Sequence, residues 1–330
     1  MHSEAHDTST LSTQTAATSR MAALGITPVF VVGTIALVAL PLFVKDEYIL
    51  RLVVSILLLG SQAMAFDLVD GYIGICLFGF AAFIGLGGYT SALLAVKLNV
   101  NPWIGMFAGG AVSGIAGFLL GVLTLRLRGI YAAVMSWFVA LALLSTAAAL
   151  VDFTRGYLGL IVPHLFRTID MPPYYYVMVA LTLAVWVILK AVTSSSWGLA
   201  FRAIGQNVEA AQASGVNPTK YKVLNLTLAC ALAGILGAFS AHWTGILTPD
   251  ALSTNRSIEI LVMSRLGGQG SLWGGVVVAF LTVPVLDMFR QLLSVRLLLY
   301  GLVLIAVTIA YPGGLAKLWS SIVKKLAKAS

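Results

Sequence analysis

The sequence carries very little charge for its length. Of its 330 residues, only 10% are Asp, Glu, Lys or Arg, whereas 59% are hydrophobic. A soluble domain needs many more charged residues to cover its surface, so a soluble globular fold is excluded. Apolar runs close to 20 residues long recur along the chain. They predict an all-α polytopic membrane protein.

Residue types that commonly act in catalysis or bind metals are also scarce. The chain has 4 His, 2 Cys and 12 acidic residues, and they form no Ser/His/Asp set, carboxylate pair or metal-ligand spacing. We therefore predict no catalytic residue, no metal site and no enzymatic activity. Cys76 and Cys230 fall in apolar runs and are interpreted as packing residues. His242 has no second ligand nearby in sequence and is not predicted to bind metal.

The net charge of +8 is explained by Lys and Arg in cytoplasmic loops, so no nucleic-acid partner is predicted. Residues 1–25 are predicted to be a disordered cytoplasmic tail, 26–315 one transmembrane domain, and 316–330 a basic cytoplasmic tail. With the N-terminus inside, counting the spans places 193–221 in the cytoplasm and 152–172 outside. The basic C-terminal tail falls in the cytoplasm only if the 257–266 piece also crosses the membrane, and we predict that it does.

About nine to ten transmembrane crossings are predicted, some of them half-helices. Two regions are irregular: 71–90, which contains six glycines, and 257–275, where a short apolar piece precedes a glycine cluster. Such interruptions, one in each half, predict broken helices at the membrane mid-plane and an inverted-repeat fold. A glycine-rich packing seam plus a loop is the alternative. The predicted spans are 26–44, 49–68, 73–96, 103–124, 130–151, 174–192, 222–246, 271–288 and 296–311.

The longest polar interruption within the predicted domain is 193–221. Asn207 can cap a helix start, Glu209 then lies in the first turn, and Gly215 suits a left-handed helix end. The pattern predicts an exposed helix of about two turns, which is too short to be stable without a supporting surface. That surface is either a partner protein or the bilayer interface. The residues assigned to this helix are Asn207, Glu209, Ala210, Ala211 and Gly215.

Six stretches carry a family resemblance, in order along the chain. They are GFAAFIGLGGYTSALL (79–94), LTLRLRGIYAAV (123–134), SSWGLAFRAIGQNVEAAQASGVNPTKYK (195–222), AGILGAFSAHWTGILTPD (233–250), SIEILVMSRLGGQGSLWGG (257–275) and YGLVLIAVTIAYPGGL (300–315). In these stretches the chain resembles the branched-chain amino acid ABC permease family, of the LivM type. Residues 209–215 are similar to that family's coupling-loop signature, in which Glu-Ala-Ala is followed by three residues and then Gly.

The resemblance implies an ABC-importer permease fold in a bacterial plasma (inner) membrane. It implies import of a small organic solute, such as a branched-chain or hydrophobic amino acid. The implied partners are a second homologous permease, two ABC ATPase subunits, a periplasmic or extracellular solute-binding protein, and membrane lipid. The chain lacks G-x-x-x-x-G-K-[ST], so ATP and Mg are expected on the ATPase subunits and no cofactor is expected here.

The first irregular region departs from the family pattern. Where the family has Gln, Ser and His, this chain has Ile75, Leu77 and Phe80. Loss of these polar groups predicts a more apolar solute, such as an aromatic carboxylate. The alternative is that these positions face lipid or a neighbouring helix. The translocation-path candidates are Ile75, Leu77, Phe80, Phe83, Gly85, Gly87, Gly267, Gly268, Gly270 and Ser271.

Further polar residues have open interpretations. In the predicted outer loop, Arg155 and Tyr157 are candidates to meet a carboxylate or the binding protein, and a solvated loop is the alternative. Glu259 and Arg265 could pair across a half-helix end or form an exposed gate rim. Other functional classes are a secondary transporter, for which Asp67 and Asp70 would be the coupling carboxylates, and a structural scaffold without flux.

Overall fold

The computed structural model describes residues 28–44, 46–124, 127, 130–166 and 170–288. The chain divides into two units, 1–50 and 51–330. The first unit contains helix α1, Pro28–Phe43, and the start of helix α2, Glu47–Asp70, which continues into the second unit. The predicted span 296–311 and both predicted tails, 1–25 and 316–330, lie outside the described residues.

The described part of the second unit is built almost entirely from helices. Two short strands are the exception: β1, Leu160–Ile161, pairs antiparallel with β2, Ile246–Leu247. Single 3₁₀ turns occur at Gly156–Leu158 and Pro249–Leu252. The helices after α2 are α3 Phe80–Leu98, α4 Pro102–Thr124, α5 Ile130–Ala149, α6 Val151–Thr154, α7 Met171–Thr193, α8 Ser196–Gln206, α9 Val208–Ala213, α10 Pro218–Thr244, α11 Thr254–Gly267 and α12 Gly274–Met288.

Six of the described helices are long and apolar enough to cross a membrane: α2, α3, α4, α5, α7 and α10. This confirms the prediction of an all-α polytopic membrane protein. Most predicted boundaries agree with the structure to within a few residues. The exception is the predicted span 73–96, because residues 71–79 are not helical and α3 begins only at Phe80. Cys76 therefore lies in this irregular segment, half-buried, and not in a helical span.

Both predicted interruptions exist, but their glycines have different roles. In the second, α11 and α12 are short helices of 14 and 15 residues separated by a turn at 268–273. Gly268 and Gly270 have positive φ in this turn, 97° and 75°. Residues that carry a Cβ rarely adopt this backbone conformation. In the first, the break is at 71–79, whereas Gly85 and Gly87 lie within continuous α3 and pack against other segments. Residues 80–90 of the predicted irregular region 71–90 are therefore helical, and their glycines fit the alternative of a packing seam.

Helices α3, α4 and α10 form the tightly packed centre of the second unit. α4 and α10 run antiparallel, since Gly110 faces Ile235, Gly117 faces Cys230 and Gly121 faces Val223. Lipid provides no hydrophobic drive for helices to associate, so close approach through small residues is the main source of packing energy. The fully buried Cys230 is part of this seam, which confirms its interpretation as a packing residue.

The second unit has two distinct ends. At one end, which we call the loop end, α2 and α4 finish beside the start of α10: the side-chain amide of Asn225 donates to the carbonyl of Leu68 at 2.8 Å. At the opposite end, the hairpin end, β1 and β2 pair. There His242 is within 2.8 Å of Ser91 Oγ through Nε2 and within 2.8 Å of the Pro163 carbonyl through Nδ1. Both ring nitrogens of His242 thus hold the hairpin segment onto α3.

Candidate coupling and translocation site

The residues of the 193–221 loop fold into two helices, α8 and α9. Asn207 separates them and caps α9, because its Oδ1 accepts hydrogen bonds from the backbone N–H groups of Glu209 at 2.9 Å and Ala210 at 3.0 Å. Gly215 follows the helix with φ of +85°. The predicted cap, short helix and left-handed end are therefore confirmed. The docking role of this helix stays a prediction.

Helix α9 is presented outward by its neighbours. Of residues 207–215, only Ala211 is buried, and the others are exposed. Asn217 caps α10, accepting from the Lys220 N–H at 3.2 Å, and Pro218 occupies the first turn of that helix. The short α9 thus lies exposed at the loop end, between two helices whose first turns are capped by Ser195 and Asn217.

Sequence reasoning missed α8, although a signal was present. Ser195 caps the helix by accepting from the Trp197 N–H at 3.2 Å. Phe201 and Ile204, three positions apart, are buried on one face, which is the helical spacing. The opposite face exposes Leu199. Helix α8 therefore lies against the membrane domain and carries α9 at its end.

Tyr72 links α8 to the second broken region. The backbone of Gly205 lies against the Tyr72 carbonyl so closely that a Cβ on Gly205 would overlap it. The Arg202 guanidinium lies over the Tyr72 ring, 5.2 Å from its centroid. At its other end, the Tyr72 hydroxyl donates to the Gly270 carbonyl at 3.4 Å. A continuous set of contacts thus runs from the loop helices to the turn between α11 and α12.

A polar junction, formed by Asp67, Asp70, Arg265, Gln269 and Gly270, fixes this turn to the end of α2. Arg265 Nη2 lies 2.6 Å from Asp70 Oδ1, and Gln269 Nε2 lies 3.3 Å from Asp70 Oδ2. The Gly270 N–H donates to Asp67 Oδ1 at 2.9 Å. Both carboxylates are thereby engaged in holding backbone and side chains of the broken helix.

The predicted pair of Glu259 and Arg265 is wrong. Arg265 pairs with Asp70, and Glu259 pairs with Arg256 at 2.8 Å. Helix geometry explains the difference, because residues three apart share a face, whereas residues six apart point in different directions.

The predicted path residues differ in burial within this chain, and their role in the path stays a prediction. Leu77, Phe80 and Phe83 are fully buried within this chain, and the Phe80 ring contacts the Phe66 ring edge-on at 5.3 Å between centroids. In this conformation they pack on neighbouring helices, which was the alternative interpretation. The remaining candidates are buried except for half-buried Ile75 and Ser271 and exposed Gly270; the buried ones are Gly85, Gly87, Gly267 and Gly268.

The predicted outer-loop residues lie near the hairpin end. Arg155 is exposed with φ of +59°, and Tyr157 is exposed in the 3₁₀ turn that follows. Thr154 fixes this bend, since its hydroxyl donates to the Ala147 carbonyl at 2.6 Å and accepts from the Gly156 N–H at 3.1 Å. Their contact with a solute or a partner stays a prediction.

Replacing Asn207 by Ala tests the cap of α9. We expect the variant to lose about 1 kcal/mol of helix stability, because two backbone N–H groups lose their acceptor. Hydrogen exchange at the Glu209 and Ala210 amides should become roughly fivefold faster. Asn207→Asp keeps an acceptor oxygen and should retain slow exchange. Equal exchange rates in Asn207→Ala and the parent protein would show that the cap does not hold α9.

Comparison with known proteins places these features in a family. Residues 48–310 match the family described as "Branched-chain amino acid transport system / permease component". The high-affinity branched-chain amino acid transport system permease proteins LivM of Salmonella typhimurium and Escherichia coli are each 26% identical over 283 residues. Each alignment covers 76% of this chain and 66% of the relative, just under two thirds of its length.

A more distant relative has a different named substrate. The nucleoside ABC transporter permease protein NupC of Lactococcus lactis is 22% identical over 247 residues, covering 67% of this chain and 73% of the relative. No solved structure matches the chain.

Proposed function

The chain belongs to the family of branched-chain amino acid transport system permease components, and on this premise we propose that it is the membrane-spanning subunit of a binding-protein-dependent ABC importer. In this role it transports a small organic solute and hydrolyses no ATP itself. Two ABC ATPase subunits carry ATP and Mg, a second homologous permease completes the pathway, and a solute-binding protein delivers the solute.

The observation that carries the proposal is the connection of α9 to the second broken region. An exposed, capped α9 is the surface on which an ATPase docks. Force on it passes through α8 to Tyr72, which contacts both Arg202 and the Gly270 carbonyl. The polar junction ties the turn between α11 and α12 to the end of α2, so the turn moves together with Tyr72 and the end of α2. Rigid elements joined by such contacts can transmit a two-state change over this distance.

The proposed orientation places the loop end in the cytoplasm of a bacterium, with both termini on that side of the inner membrane. It is supported by Arg202, Lys220 and Lys222 at the loop end, because basic residues are retained on the cytoplasmic side. The hairpin end, with Arg155 and Tyr157, then faces the solute-binding protein.

A secondary transporter is the weaker candidate. It would need carboxylates free to bind and release a coupling ion. Asp70 is instead paired with Arg265, and Asp67 accepts the Gly270 N–H. The Asp70 pair favours an ATP-driven subunit, in which that carboxylate has a mechanical role.

Uptake of labelled leucine into proteoliposomes holding the assembled transporter and its binding protein tests the function. We expect uptake to require ATP and to fall at least about tenfold in Glu209→Lys and Gly215→Val, because charge reversal and a side chain at positive φ both disrupt the docking helix. Thr219→Ala, exposed at the start of α10, is the matched control and should retain uptake.

One result would count against the proposal. Uptake that persists without ATP and survives both loop substitutions would indicate a secondary carrier. Competition defines the solute class: inhibition by aliphatic amino acids supports the family's usual substrate, whereas inhibition only by aromatic acids supports the apolar-carboxylate alternative. Inhibition by nucleosides alone would instead group the chain with its nucleoside relative.

A further inference from the structure

The polar junction contains more buried carboxyl groups than cations. Asp67 and Asp70, one helical turn apart on α2, are the buried carboxyl groups in the described part of the chain, 2% and 1% exposed. Arg265 is the cation that they face, and its guanidinium pairs with Asp70. The Cys76 thiol, which borders Asp70 and Arg265, is neutral at neutral pH and supplies no charge. With both carboxyl groups ionised, the junction would bury one uncompensated negative charge.

The hydrogen bonds are divided unequally between the two carboxyl groups. Asp70 uses both oxygens, which accept from Arg265 and Gln269 at 2.6 and 3.3 Å. Asp67 Oδ1 accepts from the Gly270 N–H at 2.9 Å, whereas Asp67 Oδ2 is buried without a hydrogen-bond partner among the described residues. Burial of a carboxylate that lacks both a cation and a full set of donors is strongly unfavourable. The ionised form therefore fits Asp70 and does not fit Asp67.

A second buried oxygen without a hydrogen-bond partner lies beside Asp67. Ser264, directly before Arg265 on α11, is 2% exposed, and its hydroxyl borders the Asp67 carboxyl group. Its Oγ has no hydrogen-bond partner in the part of the chain that the structure describes. A hydroxyl on Asp67 Oδ2 that donates to Ser264 Oγ would satisfy both oxygens. The opposite bond, from the serine hydroxyl to an ionised Asp67, would leave the negative charge uncompensated.

The surroundings of Asp67 favour a proton over a metal ion as the missing positive charge. The backbone is crowded here, because a Cβ on Gly71 would overlap Asp67 Oδ1 and lie 2.5 Å from the Gly270 nitrogen. The described residues contain no group of three His, Cys, Asp or Glu side chains that could hold a metal ion. Mg²⁺ and Ca²⁺ take about six or more oxygen ligands, whereas a proton needs one oxygen to carry it.

From this arrangement we propose that Asp67 is a proton-binding site of the folded chain. Its carboxyl group is a neutral acid with the proton on Oδ2, and the resulting hydroxyl donates to Ser264 Oγ. Oδ1 remains the acceptor of the Gly270 N–H. The proton comes from water when the chain folds, and it makes the junction electrically neutral, with Asp70 as the ionised partner of Arg265. This proton belongs to the junction whether or not the chain is an importer subunit.

The bound proton makes the stability of the junction depend on pH. An ionised Asp67 would repel Asp70 and compete with it for Arg265. An aspartate of the unfolded chain is ionised in water above about pH 4, so unfolding releases the proton. The folded state then binds more protons than the unfolded state, and its stability falls as the pH rises until Asp67 ionises in the folded chain as well.

Infrared spectroscopy of the full-length chain in membranes tests whether Asp67 carries the proton. Asp67→Asn keeps an acceptor for the Gly270 N–H and a donor for Ser264, so it should fold. At about pH 6, we expect the parent spectrum minus that of Asp67→Asn to contain the C=O band of a protonated carboxylic acid, shifted by ¹³C labelling of aspartate. Asp170→Asn, at an exposed position, should remove carboxylate bands only.

Two infrared results would contradict the proposal. A parent-minus-Asp67→Asn spectrum with carboxylate bands and no carboxylic acid band would overturn it, because Asp67 would then be ionised. Ser264→Ala tests the acceptor, since the Asp67 hydroxyl loses its hydrogen bond and its C=O band should move to higher frequency. An unchanged band in Ser264→Ala would overturn the assignment of Ser264 as the acceptor.

Unfolding as a function of pH gives an independent test. We expect the unfolding constant of the full-length chain, measured by SDS titration in mixed micelles, to rise relative to that of Asp67→Asn by up to about tenfold per pH unit above about pH 5. The parent releases one proton on unfolding and the variant releases none. The ratio of the parent to Asp170→Asn should not change with pH, because an exposed aspartate is ionised in both states. A constant ratio of the parent to Asp67→Asn between about pH 5 and about pH 8 would overturn the proposal.

Discussion

Asp70→Asn is expected to destabilise the protein by roughly 3 kcal/mol, which is the low end of the range for removing one partner of a buried ion pair. Asp70 is fully buried while Arg265 is 37% exposed, so the arginine retains some hydration and the loss is moderated. The Gln269 contact to the same carboxylate also changes, because one oxygen becomes an amide nitrogen. A lower thermal unfolding temperature of the detergent-purified protein measures this effect.

The same substitution should also reduce the amount of solute transported for each ATP hydrolysed. With the Asp70 contacts to Arg265 and Gln269 weakened, the turn between α11 and α12 is held less firmly to α2, so less of the movement of α9 reaches the broken helix. We therefore expect ATPase activity to continue while leucine uptake falls. Asp170→Asn is the control, since Asp170 is exposed and its side chain caps no backbone group of α7.

A double-mutant cycle determines whether the two charges act as a pair. Arg265→Gln alone leaves a buried carboxylate without its cation, so it should be about as destabilising as Asp70→Asn. The double variant should lose less than the sum of the two single variants. Strictly additive losses would contradict a direct interaction between Asp70 and Arg265.

The elements that the sequence predicted correctly are those set by local rules. Asn207 and Gly215 bound α9 because capping and left-handed ends depend only on neighbouring residues. The long apolar runs became helices because the bilayer requires every backbone group to be paired within its segment. These features could be predicted without knowing which helices pack against each other.

What the sequence could not provide is the choice of partners. Asp70 and Arg265 are 195 positions apart, and no periodicity brings them together. The irregular region was predicted over all of 71–90, Gly85 and Gly87 included, because a glycine that interrupts a helix and one that lets two helices approach have the same local sequence signal. Phe80 was a path candidate because it stands where the family pattern has a polar residue, and its burial against Phe66 is set by a tertiary contact that the pattern does not contain.

Substitution of Gly87 by Val is expected to prevent α3, α4 and α10 from packing. A Cβ on Gly87 would overlap the carbonyl and Cα of Gly234. A Cβ on Gly109 would lie 2.5 Å from the Gly87 carbonyl oxygen, and one on Gly234 would lie 2.5 Å from Ser113 Cβ. Three backbones meet here, so no side chain can rotate away to make room. We expect a loss of about 3 kcal/mol or more.

The loss should appear as little or no folded protein recovered from membranes, measured by size-exclusion chromatography of the detergent extract. Gly33→Ala in α1 is the matched control, because nothing lies within 4 Å of its added Cβ and alanine favours a helix over glycine by up to about 1 kcal/mol. Gly234→Ala should behave like Gly87→Val, since it enters the same contact from α10. Normal recovery of both seam variants would mean that the three helices do not approach this closely, and that the glycines permit bending of α3 and α10 instead.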